Sequence, residues 1–497
     1  LSTINAKLDM TSIIYVLYIT TFSWPCFKQL TEFILKQIFI ITYLFLFISG
    51  PWGVPIFGYL PFLSDQPPHK FYLELSERYG DIFSIQLGSN LVVGIGSAAL
   101  LRDLFNKPDS TSRPKTPLSS LMDGLGIITS DGSLWKRQRT FLHEQFRALG
   151  VKLFPSERFE KIIIVSTFFA VAPHLILGRH VHNIICQLMM SFRFEKDDKE
   201  FVMFNKRVSR GMMLFGKVHL GEHFKPYLYL PGKKAVLKEI KRNLVDISKF
   251  HAKHLKQRVK ERAESTEEGV PKDLLDCYLD NLQNWEEKQK YKNQIFPVMN
   301  DLFSAGMDTS LSTLLWCMVM MLRNPEAAKQ VREELRKTVA SSELVSMKHR
   351  LSVPYVEAVL FETMRLCSIV PLGTTHVNDT TWHINGHSIP AGTHIVPLIN
   401  KMNMDPNLYP EPEIFKPERF IKDGKCNSSD FIQFGVGQRK CLGNILARAE
   451  LFLLFANIMN SFEFSLPEGA SMPGLEGILG VTHAPLPFKI VFAKLKQ

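Results

Sequence analysis

The run Phe434-Gly435-Val436-Gly437-Gln438-Arg439-Lys440-Cys441-Leu442-Gly443 sets one thiol in a glycine-rich loop, two residues after an arginine. An apolar helical pattern follows at Ile445, Leu446, Leu451, Phe452 and Phe455. Glycines at 435 and 437 let the backbone turn close to a planar ligand. The start of the next helix points amide donors and its positive dipole end at the sulfur, which favours the thiolate. A thiolate held this way is a metal ligand rather than a nucleophile. The plainer reading is a buried structural cysteine in a glycine turn.

Ala305-Gly306-Met307-Asp308-Thr309-Ser310 lies inside the helical pattern of residues 294 to 323, read as the longest in the chain and closed by Asn324-Pro325. Glycine in mid-helix costs about 1 kcal/mol against alanine, and an acid and a hydroxyl among apolar residues add a desolvation cost. Two readings account for that cost. Small residues at 305 and 306 leave room for a ligand while Thr309 holds a water chain, or Gly306 lets a neighbouring helix pack closely.

Trp135-Lys136-Arg137-Gln138-Arg139 falls on a predicted helix, with Trp135 and Arg139 on one face. An indole and a guanidinium so placed suit one carboxylate, whereas Lys136 and Arg137 read as a solvated basic face. Glu362 and Arg365 also share a face, one turn apart. Surface pairs of this kind are common and contribute little.

Phe-x-x-Gly-x-Arg-x-Cys-x-Gly, here Phe434, Gly437, Arg439, Cys441 and Gly443, resembles the heme-binding loop of the cytochrome P-450 monooxygenases. The segment from Ala305 resembles that family's oxygen-activation motif, and Glu362 to Arg365 with Pro417-Glu418-Arg419-Phe420 resembles its paired structural segments. The resemblance spans roughly residues 50 to 497 except near 162 to 180. It implies a mainly α fold, a large helical domain with a smaller β-rich lobe, and heme b (iron protoporphyrin IX) with Cys441 as axial thiolate. It places Arg113, Trp135, Arg139, His376 and Arg439 at the propionates, with Ala305, Phe434 and Gly443 also at the cofactor. It makes Asp308 and Thr309 a proton relay and Glu362, Arg365 and Arg419 a buried structural triad. Leu372, Gly373, Thr374, Val481 and Thr482 become substrate-lining.

These residues need elements to hold them. Lys70 to Tyr79 has helical spacing and stops at Gly80; Ile82 to Leu87 and Leu91 to Ile95 read as two short strands around a turn. Arg113-Pro114 opens a Ser/Thr/Pro/Gly-rich loop to Gly126, long enough to be functional. Lys233 to Glu264 reads as a long solvated helix, and Gly477 to Pro487 as a turn-rich segment. Ile162 to Arg179 opens too apolar and irregular for an amphipathic helix, and reads as a membrane-touching surface or an error in the coding sequence.

Residues 1–49 carry two apolar blocks, Ile13 to Trp24 and Ile38 to Ile48, and the second, with Phe33 to Leu35, reaches membrane depth. An N-terminal anchor is expected there, a cleaved signal peptide being the rival reading. The catalytic domain is then 50–497. The proline-rich hinge Gly50 to Pro55 follows without the basic linker the family normally carries. Seven scattered cysteines, with no Cys-x-x-Cys pair, indicate neither a disulfide framework nor a zinc site and favour a reducing compartment. Lys and Arg number 59 against 48 acids, a net charge of +11, which suits an anionic membrane face or an acidic partner. No finger motif or long basic run points to nucleic acid. Hydrophobic residues at 45%, with 37 Phe and 18 Met, are rich enough for a large apolar pocket as well as a core.

The resemblance implies a monooxygenase of the endoplasmic reticulum membrane, its catalytic body on the cytoplasmic face. Its implied partners are NADPH-cytochrome P-450 reductase, docking near Lys136, Arg137 and Lys440, and cytochrome b5. A lipophilic substrate is implied, with Gly-Pro-Trp-Gly, Gly-Val-Gly-Gln-Arg and Trp135 to His143 most like the arthropod ecdysteroid hydroxylases. Rival readings are a xenobiotic or fatty-acid monooxygenase, a heme-thiolate isomerase or dehydratase, and a non-catalytic heme- or lipid-binding membrane protein.

Overall fold

The computed structural model describes residues 48–495 apart from 64–65, 117–118, 123, 153–172, 196–197, 219–220, 222–224, 265–269, 283–293, 341–342 and 385. The anchor reading for residues 1–47 and the apolar run Ile162 to Ala170 therefore lie outside the described residues. Ile48, read as the end of an anchor block, is buried beside Val93, Ile95 and Trp382, and the Ser49 carbonyl accepts Ser84 N–H at 2.9 Å.

Helix α1 (Pro68–Tyr79) opens with proline at its first position and ends at Gly80, whose φ of 97° suits glycine. Strands β1 (Ile82–Leu87) and β2 (Asn90–Ile95) follow as an antiparallel pair, Ile82 opposite Ile95. Next come α2 (Ala98–Phe105), capped by the Ser97 hydroxyl, and α3 (Gly132–Ala148). The helical body continues through α4 (Pro173–Met190), α5 (Lys199–Val218), α6 (Lys233–Glu264), α7 (Leu274–Leu282), α8 (Ile295–Arg323), α9 (Pro325–Thr338) and α10 (Pro354–Cys367). Short strands β3 (His376–Val377), β4 (Trp382–Ile384), β5 (His387–Ile389) and β6 (His394–Pro397) precede a short helix, α11 (Ile399–Asn403). After the hairpin β7 (Ile421–Lys422) and β8 (Lys425–Cys426), the chain ends through α12 (Asn444–Ser461), β9 (Phe462–Ser465), β10 (Gly477–Leu479), β11 (His483–Pro485) and β12 (Val491–Lys494).

The largest sheet has the order β1-β2-β6-β3, with β2 and β6 parallel and the other pairs antiparallel, and forms a small lobe beside the helices. Helix α8 runs through the centre, packed on α4, α6, α9, α10, α12 and β11. Apolar residues occupy nearly every face of α8 and α12, and both are buried accordingly. Among the described residues α8 alone is long and apolar enough to cross a membrane, and its burial marks it as a core helix. It is not the longest helix: α6 has 32 residues to its 29. The full extent of α6, Lys233–Glu264, is already the charged helical stretch of the sequence, and most of it faces solvent.

Candidate active site

The loop before α12 is held by its own backbone. Cys441 N–H donates to the Phe434 carbonyl at 2.8 Å, Gly435 N–H to Ile432 at 2.7 Å and Lys440 N–H to Gly437 at 3.1 Å. Gly437 has φ 71°, and a Cβ there would stand 1.9 Å from the Phe105 carbonyl, so the close approach of α2 demands this glycine. Phe434 packs on Phe431 and lies under the Arg448 guanidinium. Cys441 is exposed on the free side of the loop. Protein packed behind it raises its thiol pKa, while the amides of Gly443 and Asn444 and the charges of Arg139 and Lys440 pull it down. Gly443 is the N-cap of α12, so the helix start does face the sulfur.

Beside this loop three guanidiniums crowd together. Arg439 stacks on the Trp135 ring, 3.9 Å from its centroid, and donates to the carbonyls of Thr111 (2.7 Å), Ile127 (3.1 Å) and Ser130. Arg113 donates to the carbonyls of Thr375 (2.8 Å) and Ile128 (3.2 Å) and to the Thr374 hydroxyl (3.1 Å). Arg139 donates to the Lys440 carbonyl. Burial, and then the repulsion of Arg113 and Arg139, pushes Arg439 down to about 8; burial and Arg139 push Arg113 down to about 10. His376 is buried, stacked 3.8 Å from the Phe105 centroid, and its Nδ1 pairs with the Ser110 carbonyl at 2.6 Å. Burial and the two arginines hold it neutral, well below the usual histidine range. Trp135 and Arg139 do share a helix face, but Arg439 rather than Arg139 lies closest over the indole.

On α8 the two small residues separate. Ala305 is exposed, whereas a Cβ at Gly306 would stand 2.7 Å from Ile185 Cδ1 on α4. Gly306 therefore serves helix packing, and Ala305 alone leaves room for a ligand. Thr309 Oγ1 donates to the Ala305 carbonyl at 2.7 Å, and Thr313 Oγ1 to the Thr309 carbonyl at 2.8 Å. Asp308 does not bond Thr309; its carboxylate accepts the Thr482 hydroxyl. Burial raises the Asp308 pKa and Thr482 offsets part of that rise.

Thr482 is buried at 4% exposure with its hydroxyl on Asp308, while Val481, beside it, is 43% exposed. Leu372 packs partly buried against the lobe core with Phe71, Leu75 and Val396. Gly373 has φ 53° and approaches Pro397, and Thr374 is exposed and accepts from Arg113. Elsewhere Glu362, at 0% exposure, accepts both Arg365 Nε (2.8 Å) and Nη2 (2.9 Å), and also Arg419 Nε (3.0 Å).

Two buried acids were not singled out from sequence. Asp301 accepts the amides of Ile127 (2.7 Å) and Ile128 (2.9 Å), while Gln294 accepts Gly126 N–H at 2.8 Å. The segment whose carbonyls hold Arg113 and Arg439 is thereby tied to α8. Burial outweighs those amides and pushes Asp301 up to about 6. Its position two turns before Asp308, in an apolar pattern, was the available signal. Glu450, in the equally apolar α12, accepts Ser310 Oγ at 3.2 Å and is pushed up to about 8 by burial.

The chain's own atoms give a test for a bound group. The Trp135 indole N–H is buried with no acceptor, and among the described residues no carboxylate pairs with Arg113, Arg139 or Arg439. Cations and an orphaned donor converging beside an accessible thiol fit a planar metal cofactor with anionic side groups, and heme carries two carboxylates. The fold and site define a heme-thiolate protein.

The Cytochrome P450 family model matches residues 48–492. Cytochrome P450 18a1 of Drosophila melanogaster is 38% identical over 466 residues, 89% of this chain and 86% of that protein. Cytochrome P450 2U1 of Rattus norvegicus is 35% identical over 454 residues, 86% of this chain and 83% of that protein. A solved zebrafish cytochrome P450 structure with progesterone aligns with a TM-score of 0.75 and 28% identity, covering 86% of this chain and 100% of that one. The chain belongs to the cytochrome P450 family: it is an oxidoreductase, a monooxygenase whose heme takes an axial cysteine thiolate.

Proposed function

We propose that the chain hydroxylates a lipophilic steroid, an ecdysteroid, with dioxygen and two electrons from NADPH. NADPH-cytochrome P-450 reductase delivers the electrons at the face of Lys136, Arg137 and Lys440, with cytochrome b5 as an accessory donor, at the endoplasmic reticulum membrane. Bound heme supplies the activation of dioxygen and the insertion of one oxygen atom into a C–H bond. Cys441 is its axial ligand. Arg113, Trp135, Arg139, His376 and Arg439 orient it through its carboxylates, and Phe434 and Gly443 shape its thiolate side. Asp308 moves protons, and Thr309, its hydroxyl on the Ala305 carbonyl, holds them beside the exposed face of α8. Glu362, Arg365 and Arg419 brace the proximal side. Leu372, Gly373, Thr374 and Val481 lie nearest the substrate, Thr374 at one remove through Arg113.

The observation that carries this reading is the convergence, beside Cys441, of three guanidiniums that among the described residues have no carboxylate partner and of the unpartnered Trp135 N–H. The steroid class draws support from the likeness to the progesterone-bound zebrafish structure. Reduced, carbon monoxide-treated protein should give the red-shifted Soret band of a thiolate-ligated heme, and Cys441→Ala should lose it. With reductase and NADPH the parent should hydroxylate ecdysteroids. Oxidation of fatty acids or xenobiotics alone would leave the class and remove the substrate.

A further inference from the structure

Thr482 occupies the turn between β10 and β11, and that turn is pinned from three sides. His483 N–H donates to the Ile369 carbonyl at 2.8 Å, His483 Nδ1 pairs with the Cys367 carbonyl at 2.7 Å, and the Trp316 indole donates to the His483 carbonyl at 2.9 Å. Within the turn Gly480 N–H donates to the Thr482 carbonyl at 3.0 Å. The hydroxyl therefore has a fixed origin relative to α8. On the outer side the turn meets α5: a Cβ at Gly480 would stand 3.1 Å from the Met212 carbonyl, and one at Gly216 would stand 3.5 Å from Gly480 Cα. A continuous path of contacts thus runs from α5 through Gly480 and Thr482 to Asp308.

We propose that Thr482 is a positioning residue for the distal acid: its hydroxyl holds the Asp308 carboxylate in one orientation and ties that orientation to the seat of the β10–β11 hairpin against α5. The assignment rests on the monooxygenase reading above. In this role Thr482 acts through Asp308. A carboxylate anchored by one hydroxyl has a single preferred acceptor direction, and motion of the hairpin against α5 changes that direction. Other titratable side chains lie on or against α8: Asp301 accepts the Ile127 and Ile128 amides, and burial pushes His180, on α4, down to about 4. His182 Nδ1 pairs with the Gly178 carbonyl, His251 Nδ1 with Asn300 at 2.8 Å, Glu450 with Ser310, and His483 with Cys367.

The test uses heme-loaded protein in five forms: parent, Thr482→Val, Thr482→Ser, Asp308→Ala and the Thr482→Val/Asp308→Ala double variant. The thermal-unfolding cycle should be non-additive, the double variant losing no more than the worse single one, because each single change breaks the same hydrogen bond. Thr482→Val should raise the share of NADPH electrons released as hydrogen peroxide by roughly fivefold, the factor one hydrogen bond carries. Its acid limb of turnover should move to higher pH, since the charged carboxylate loses a donor. Thr482→Ser should restore all three. Additive unfolding losses with an unmoved acid limb overturn the proposal. Should Thr482→Val not keep its thiolate Soret band, Thr482→Ala takes its place in the same cycle, and Thr482→Ser behaving no better than either also overturns it. A parent that shows the coupling but no turnover removes the monooxygenase reading and leaves the hydrogen-bond link, so the two failures are distinct.

Discussion

Two arginine clusters, one buried around Glu362 and one half-buried around Cys441, differ in that among the described residues only the first contains its own counter-ion. Around Glu362, Arg365 bonds both carboxylate oxygens and passes its remaining donors to the carbonyls of Asn403 and Pro412, each at 2.7 Å. Arg419 and the amide of Lys416 complete the acceptor set at 3.0 and 2.8 Å. Around Cys441 the guanidiniums of Arg113, Arg139 and Arg439 bond backbone carbonyls and repel one another. The difference separates two uses of the same residue type. A compensated cluster locks a fold, because removing one member leaves another buried charge unpaired. An uncompensated cluster stores electrostatic cost that an anionic ligand relieves on binding.

Glu362→Gln should break the first cluster hardest. It leaves two buried guanidiniums facing a neutral amide and should cost about 3–5 kcal/mol in chemical denaturation. A loss below about 1 kcal/mol would mean that the carbonyls alone satisfy Arg365 and Arg419. Arg439→Met should act oppositely on the two states of the protein. Without heme its melting temperature should hold or rise, since repulsion is relieved; with heme, affinity should fall roughly 10- to 100-fold, the worth of one or two charge-assisted bonds. An equal loss of stability in both states would place Arg439 with the structural cluster.

Glu450 sharpens the contrast from the other side, as a buried carboxyl that pairs with no cation among the described residues. Its folded pKa of about 8 stands above the ordinary 4.5, so the native state holds the extra proton between those values. The group's stabilising contribution is full below pH 4.5 and is lost as pH rises toward 8. Glu450→Gln should therefore flatten the stability profile across that window, and at its upper end exceed the parent by about 1–3 kcal/mol. An unchanged profile would show that Ser310 or relaxation of α12 already accommodates the charge.

The sequence alone was enough for the chemistry-bearing residues that stand out against their surroundings. Cys441 among glycines, Asp308 and Thr309 in an apolar helix, and the Glu362–Arg365 spacing are all local anomalies. The strands β1 and β2, the stop of α1 at Gly80 and the long charged α6 are likewise written in near-neighbour patterns. Tertiary structure decided whatever depends on partners far apart in the chain. It decided for Gly306 between ligand space and helix packing, because Ile185 comes from α4. It gave Gly437 to the Phe105 carbonyl, laid Arg439 closer than Arg139 over Trp135, and joined the Thr482 hydroxyl to Asp308. It also brought Asp301 under Ile127 and Ile128, a contact across 174 positions that no local pattern encodes. Side-chain type and spacing determine what a residue is able to do; which acceptor it meets is settled only when distant segments pack together, since a hydrogen bond depends on position and angle rather than on sequence order.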